Sequence, residues 1–246
     1  MQRYFLEVAY NGARYSGFQV QPNTQTIQSE VEKALAILFR LPFVLTGSSR
    51  TDAGVHARQN FFHFDSEIPI EKKQLYNLNA ILPFDIAAKG IYKTENQAHC
   101  RFDAVARQYK YFIYKEKDPF LHGTAWHYPF TIDVEQLQQA AQIVMLYKDF
   151  TSFSKRNTQV KTFICDIQQS EWGTEGNCMV YTVTANRFLR GMVRGLVSTM
   201  LKVARNLISI DQFRDIIDQK DCTKADFAAP AYGLHLVNVK YKQPLY

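Results

Sequence analysis

One polar stretch organises the chain: Gly47-Ser48-Ser49-Arg50-Thr51-Asp52-Ala53-Gly54-Val55-His56-Ala57. It lies between two apolar runs, residues 43–45 and 61–64, which are typical of strands, so the stretch is predicted to be a loop. Asp52 is its one carboxylate. Asp-x-Gly is common turn chemistry, because Asp accepts local backbone hydrogen bonds and Gly tolerates a positive φ. The alternative is a nucleophilic or acid–base carboxylate that a nearby cation keeps ionised, and spacing alone does not choose between the two.

The composition is typical of a soluble globular protein. The 246 residues are 46% hydrophobic and 21% charged. No apolar run approaches the ~20 residues that a membrane-spanning helix needs, and the N-terminus has no signal-peptide pattern, so we expect a cytoplasmic protein without a membrane partner. The net charge of +6 and the pI of about 9.0 fit a polyanionic partner.

Metal and cofactor signals are weak. The four cysteines are widely spaced and form no Cys-x-x-Cys pair, which argues against a zinc site and a disulfide framework: Cys100, Cys165, Cys178 and Cys222. His56 and His63 have no partner at metal-ligand spacing, and His63 alternates with phenylalanines, so we expect it to be structural. The chain has no phosphate-binding glycine loop with Lys-Ser/Thr and no dinucleotide fingerprint. We therefore expect neither metal nor cofactor.

Strand and helix patterns occur in both halves of the chain. Strands are predicted at residues 3–10, 59–65, 86–92, 99–114, 161–172, 177–185 and 234–241. Helices are predicted at residues 27–39, 72–80, 133–147, 187–205 and 210–219, the first capped by Thr24 or Thr26. We predict an α/β (α+β) fold of two mixed or antiparallel sheet halves flanked by helices. Residues 1–106 would carry the Asp52 loop, and residues 107–246 would carry a basic helix and the wall of a substrate pocket.

Two basic features of the sequence suggest that the protein binds nucleic acid. Arg187, Arg190 and Arg194 recur at three and four residues along the predicted helix, either as a solvated face or as phosphate-binding cations. The segment from Asn186 to Ile210 contains no acidic residue, which favours phosphate. Tyr109 lies close to cations in the 99–114 strand, as in sites that stack an unpaired base, although packing within a sheet would give the same pattern.

The stretch Arg50-Thr51-Asp52-Ala53-Gly54-Val55-His56-Ala57 resembles the catalytic-aspartate motif of the tRNA pseudouridine synthase A family. Five further stretches are similar to the same family: residues 10–21, 78–83, 107–111, 186–194 and 229–234. Their order and spacing fit the family from near residue 4 to near residue 241.

The resemblance implies a pseudouridine synthase fold with its active-site cleft between the two halves. It implies a homodimeric enzyme that converts uridine to pseudouridine in the anticodon stem-loop of tRNA without metal or cofactor. Base flipping would expose the target nucleotide, at a cost of a few kcal/mol for unstacking.

The resemblance also implies residue roles. Asp52 would be the nucleophile, Arg194 would pair with it, and Arg50 would enter the space that the extruded nucleotide leaves. Tyr109 would stack on the target base, with Tyr111 as the alternative. The remaining expected contacts are Leu234 in the apolar pocket wall, and Arg58, Arg187 and Arg190 on the RNA backbone.

The chain departs from the family pattern at Asn11, Phe18, Ser48-Ser49 and Arg190-Gly191. These departures keep a paralogue that modifies another RNA among the alternatives. A non-catalytic RNA-binding or RNA-folding protein is another, but it has no need of a carboxylate that faces phosphates. A third is a hydrolytic RNA glycosylase, which would release free uracil.

Overall fold

The computed structural model describes residues 1–156 and 160–242, and the chain divides into two units. The first unit is Met1–Val105 together with the chain from His235 onward, and the second is Ala106–Leu234. The sequence prediction placed everything after residue 106 in the second half, whereas the closing strand belongs with the first unit because it pairs there. Residues 157–159 and 243–246 of the predicted second half lie outside the described residues.

The described residues form nine strands and five α-helices. The strands are β1 Gln2–Tyr10, β2 Thr46–Gly47, β3 His56–Ser66, β4 Ile86–Lys93, β5 Ala104–Tyr114, β6 Trp126–His127, β7 Ile167–Glu175, β8 Cys178–Ala185 and β9 Leu234–Tyr241. The helices are α1 Ile27–Phe39, α2 Lys73–Ile81, α3 Val134–Val144, α4 Met192–Ala204 and α5 Ile210–Asp218. The predicted α/β class is confirmed. No helix of the described residues is long and apolar enough to cross a membrane.

The first unit contains a mixed sheet with the strand order β4-β1-β3-β9. β1 runs antiparallel to β3 and to β4, whereas β9 runs parallel to β3, with His56 opposite His235. β2 adds to β3 through the pairs Thr46–His63 and Gly47–Phe62. The Asp52 loop therefore connects two neighbouring strands of one sheet, as predicted, but the strand before it is Thr46–Gly47 and the apolar run 43–45 forms no strand.

α1 shows how local sequence sets an element of this unit. Thr26 caps its N-terminus in a reciprocal capping box with Ser29, and Arg40 ends it in the left-handed region at φ 57°. The buried face repeats at three and four residues, as expected for an amphipathic helix: Ile27, Val31, Ala34 and Leu35. α1 packs against α2, and α2 packs against β4.

The second unit contains the antiparallel order β5-β8-β7, with β6 parallel to β5. β7 and β8 form the predicted hairpin, and Gly176 in its turn has φ 55°. Asp133 caps α3, which packs on β7 and α4, and α5 packs on α3 and α4.

Three predicted elements begin five or six residues later in the structure than in the sequence analysis, and one of them is the predicted 161–172 strand, which begins at Ile167. The predicted 187–205 helix begins at Met192, because Gly191 adopts φ 76° and so interrupts a right-handed helix. The predicted 99–114 strand begins at Ala104. Residues 99–103 form a turn instead, in which the His99 N–H donates to Asp103 Oδ2 at 2.7 Å and the Asp103 N–H donates to the His99 carbonyl at 3.0 Å.

Candidate active site

The central loop, residues 48–55 between β2 and β3, is fixed by hydrogen bonds to the residues that precede Asp52. The Thr51 carbonyl accepts from the Phe18 N–H at 3.1 Å, and the Thr51 hydroxyl lies 2.8 Å from the Tyr10 hydroxyl. Asn60 Nδ2 donates to the Ser49 carbonyl at 2.8 Å and to the Tyr10 hydroxyl at 3.1 Å. Neighbouring strands therefore determine the position of the loop.

Glycines allow the N-terminal segment to approach the central loop. The Gly12 N–H donates to His56 Nδ1 at 3.1 Å, and a Cβ on Gly12 would overlap the carbonyl oxygen of Val55. Gly17 has φ 98°, and a Cβ there would lie 3.1 Å from the Thr51 carbonyl oxygen. The close approach of Gly12 to the loop is the reason that a side chain does not fit there.

Asp52 lies half-buried at the head of a turn that the backbone closes. The Val55 N–H donates to the Asp52 carbonyl oxygen at 3.1 Å, and Gly54 adopts φ 78°. Arg50 on the same loop and Arg58 on β3 are both exposed. A carboxylate held on a rigid loop and still accessible is suited to nucleophilic or acid–base chemistry, because little reorganisation precedes reaction.

Tyr109 and Tyr111 occupy different environments in the second unit. Tyr111 is fully buried, its hydroxyl donates to the Pro230 carbonyl at 2.8 Å, and its burial raises its pKa. Tyr109 is 8% exposed and packs edge-on against Phe188, with ring centroids 5.1 Å apart. The structure therefore places Tyr111 in the core of its unit, and Tyr109 is the better candidate for stacking on a base.

The three arginines of the predicted helix do not share a helix face. Only Arg194 lies in α4, where its Nε donates to the Ala229 carbonyl at 2.6 Å. Arg187 is half-buried and Arg190 is exposed in the segment before the helix, and the Arg190 carbonyl accepts from the Lys155 N–H at 2.9 Å. The prediction of a helical arginine stripe is therefore wrong, because Gly191 separates these two residues from α4.

Leu234, predicted to line the pocket wall, is 7% exposed at the start of β9. Each unit thus carries its own subset of the predicted site residues. The first unit holds Arg50, Asp52 and Arg58, and the second holds Tyr109, Arg187, Arg190, Arg194 and Leu234.

A histidine–cysteine cluster lies in the first unit, where the sequence analysis found no metal-ligand partner for His63. His63 Nδ1 is 3.2 Å from Cys100 Sγ, and the ligand atoms of His63, His99 and Cys100 lie within 4.8 Å of one another. Spacing did not show the cluster because its members come from β3 and a distant turn. Imidazole and thiol groups suit zinc. In the structure, however, Cys100 Sγ donates to the Thr46 carbonyl at 3.1 Å, so the cluster already functions as a hydrogen-bond network.

His63 is an uncharged member of this cluster at neutral pH. Its burial lowers its pKa to about 4, and the charges of His99 and Arg3 act in the same direction. The sequence expectation that His63 is structural agrees with this environment.

A cavity of about 270 Å³ lies beside the central loop in the first unit. Its walls include Arg50 of the loop, Gly47 of β2 and Phe18. On another side it is lined by Arg101 and Phe102, from the turn that the sequence analysis assigned to a strand. The sequence signal for these two residues was an aromatic next to a cation, and the strand prediction obscured it.

Comparison with known proteins identifies close relatives. A family model described as tRNA pseudouridine synthase matches residues 147–242. A tRNA pseudouridine synthase A of Parabacteroides distasonis is 46% identical over 248 residues, which cover 100% of this chain and 98% of the relative. That of Bacteroides fragilis is 44% identical over 100% of this chain and 99% of its own length. That of Bacillus subtilis is 37% identical over 95% of this chain and 97% of its own length.

Proposed function

This chain belongs to the tRNA pseudouridine synthase A family, and from this premise we propose that it isomerises uridine to pseudouridine in the anticodon stem-loop of tRNA, with Asp52 as its nucleophile. The rigid structure of the central loop is the observation that supports the assignment of Asp52 as the nucleophile. It holds a half-buried carboxylate at a position fixed by Tyr10, Phe18 and Asn60. Such preorganisation favours a nucleophile over an ordinary turn residue.

The proposed reaction begins at the glycosidic bond. The Asp52 carboxylate attacks C1′ of the nucleotide, the bond between N1 of uracil and C1′ breaks, and the uracil turns while it remains bound. A bond then forms between C5 and C1′ as the bond between the Asp52 oxygen and C1′ breaks, the C5 proton leaves, and N1 takes up a proton. No atom of the uridine is lost except the exchanged C5 hydrogen, so the reaction is an isomerisation. Splitting it into two steps lowers the barrier of each.

The other predicted residues serve positioning and charge in this proposal. The Tyr109 ring stacks on the target base, and Leu234 contributes to the apolar wall. Arg50 enters the space that the extruded nucleotide leaves, and Arg194 is the proposed cationic partner of the nucleophile. The backbone phosphates are contacted by the exposed Arg58 and Arg190 together with the half-buried Arg187.

The proposal includes a cytoplasmic homodimer, since tRNA is modified in that compartment and the family resemblance implies a dimer. The net charge of +6 supports association with a polyanion. Light scattering on the purified protein is expected to give twice the chain mass of 28.5 kDa. A mass of one chain at micromolar concentration would contradict the dimer and leave the isomerase assignment intact.

Position mapping on an unmodified tRNA transcript tests the substrate assignment. Carbodiimide adducts on pseudouridine stop reverse transcriptase, so each modified position appears as a stop that depends on the enzyme. We expect stops in the anticodon arm and none in the other arms. Stops only outside that arm would overturn the anticodon assignment. Release of free uracil would replace isomerisation with glycosylase chemistry.

A further inference from the structure

We propose that the cavity lined by Phe102, Arg101 and Arg50 is a second nucleotide site, which holds an unpaired RNA nucleotide other than the one that is isomerised. This inference rests on the proposed function for the identity of the RNA. The cavity is lined by residues of the first unit alone. It shares Arg50 with the central loop, so a nucleotide bound there would belong to the same RNA as the target uridine.

A preorganised turn presents Phe102 and Arg101. His99 Nδ1 accepts the N–H of Arg101 at 3.1 Å and that of Phe102 at 3.4 Å, and Asp103 closes the turn through both of its bonds to His99. Below the turn, the His63 ring packs against His99 with centroids 4.5 Å apart. The turn is therefore held by the side chains of His99 and Asp103 and by the packing of His63 of β3 against His99. Little conformational freedom remains to be lost when a ligand binds.

The Phe102 ring is exposed where a structural phenylalanine would be buried. It is 73% exposed, and it contacts the His99 ring with centroids 4.2 Å apart. The Arg101 guanidinium lies over it at 5.8 Å from the centroid. An exposed aromatic next to a cation is the arrangement by which proteins stack an unpaired base and hold its phosphate.

The positive charge of the cavity also favours a nucleotide as the ligand. Arg50 and Arg101 contribute two guanidinium groups, and none of the described residues that line the cavity is acidic. Gln19 and Gln28 add amides, and Gln28 Nε2 donates to the Leu45 carbonyl at 2.9 Å. Positive charge, side-chain amides and one exposed ring fit a nucleotide in which the ring stacks on the base and the Arg101 guanidinium binds phosphate. Because stacking accepts every base, the site would tolerate different sequences.

Substitutions at Phe102 test stacking separately from hydrophobic contact. Phe102→Leu removes the π face, and Phe102→Tyr keeps it. The matched control is Phe120→Leu, at an exposed phenylalanine of the second unit. We expect Phe102→Leu to weaken binding of an unmodified anticodon-arm RNA by about 5- to 100-fold, and to raise KM while kcat changes little. Phe102→Tyr and Phe120→Leu are expected to bind as the wild type does.

Salt dependence tests the phosphate contact. Arg101→Gln is expected to weaken binding and to reduce the slope of log K against log salt by about 1. Wild-type affinity in Phe102→Leu, or an unchanged salt slope in Arg101→Gln, would overturn the second site.

The two proposals fail in distinguishable ways. If the wild type isomerises the RNA and Phe102→Leu binds equally well, only the second site is wrong. If the wild type isomerises no tRNA, the proposed function is wrong, and binding of single-stranded oligouridylate then decides the site. Lower oligouridylate affinity in Phe102→Leu than in the wild type, together with wild-type affinity in Phe102→Tyr, would support the site. Wild-type affinity in both variants would reject it.

Discussion

At the scale of single residues, the structure around Asp52 is compatible with both alternatives that its sequence pattern allowed. The turn is real, but it is closed by the Asp52 backbone carbonyl and by the positive φ of Gly54. The presence of the turn therefore does not argue against chemistry at the carboxylate. The pattern could not separate these alternatives, because it does not show whether the side chain or the main chain makes the closing bond.

Ser48 is buried in the central loop, and its hydroxyl makes no hydrogen bond to any described residue. A buried polar group without a partner costs free energy, so Ser48→Ala is expected to raise the free energy of unfolding by about 1 kcal/mol. Urea unfolding measures this. The control is Ser152→Ala, whose hydroxyl bonds the Ile216 carbonyl at 2.6 Å and the Asp221 N–H at 3.0 Å. This control is expected to lose about 1–3 kcal/mol. Equal losses in both variants would contradict the account.

His63 makes stability dependent on pH. Its pKa is about 4 in the folded protein and about 6.5 in an unfolded chain, so the unfolded state binds more protons between these values. Stability is therefore retained above the unfolded pKa and lost as pH falls toward the folded pKa. Between pH 7.5 and pH 5 the loss from this residue is about 2 kcal/mol.

The pH dependence is measured by urea unfolding of the wild type and of His63→Gln at both pH values. The variant should lose about 2 kcal/mol less than the wild type on acidification, because its side chain does not titrate. The same pH dependence in both proteins would show that other groups cause it.

At the scale of elements, the approach of the N-terminal segment to the central loop predicts a strong effect of Gly12→Ala. The added Cβ would overlap the Val55 carbonyl, so the loop must shift. We expect a loss of about 1–3 kcal/mol in the free energy of unfolding and about a 100-fold fall in kcat for uridine isomerisation. The control is Gly173→Ala in β7, where no described atom lies within 4 Å of the added Cβ. A Gly12→Ala enzyme with wild-type kcat would show that loop position does not limit the reaction.

The sequence predicted most elements and failed where a side chain or a single φ redirected the backbone. β1, α1 and the β7–β8 hairpin follow from apolar periodicity and capping, which are local. The turn at residues 99–103 does not, because the His99 and Asp103 side chains accept backbone amides that a strand would use. The start of α4 was missed because periodicity continued through Gly191 and gave no sign of its left-handed conformation.

The surroundings of the candidate site residues could not be predicted from the sequence. The loop around Asp52 was predicted from local pattern, whereas the burial of Tyr111 follows from contacts such as its hydrogen bond to the Pro230 carbonyl. The cluster of His63, His99 and Cys100 depends on long-range contact between β3 and a turn. Contacts of that range leave no spacing signal in one sequence.

At the scale of the whole molecule, the net charge of +6 makes RNA affinity a function of salt. Each phosphate that an arginine neutralises releases a condensed counterion, so affinity should fall linearly on a log–log plot of association constant against salt. The exposed Arg50, Arg58 and Arg190 are the proposed contributors besides Arg101. This electrostatic term attracts RNA to the protein, whereas the proposed isomerisation would also need the Asp52 carboxylate.

The release of tritium from C5 of uridine in tRNA, compared between the wild type and Asp52→Asn, tests the central claim. The substrate is a transcript whose anticodon arm is unmodified, and tRNA binding is measured in parallel. The account predicts release by the wild type, and binding without detectable release by Asp52→Asn, because the amide cannot act as the nucleophile. Release by Asp52→Asn at the wild-type rate would contradict the claim that Asp52 attacks the nucleotide.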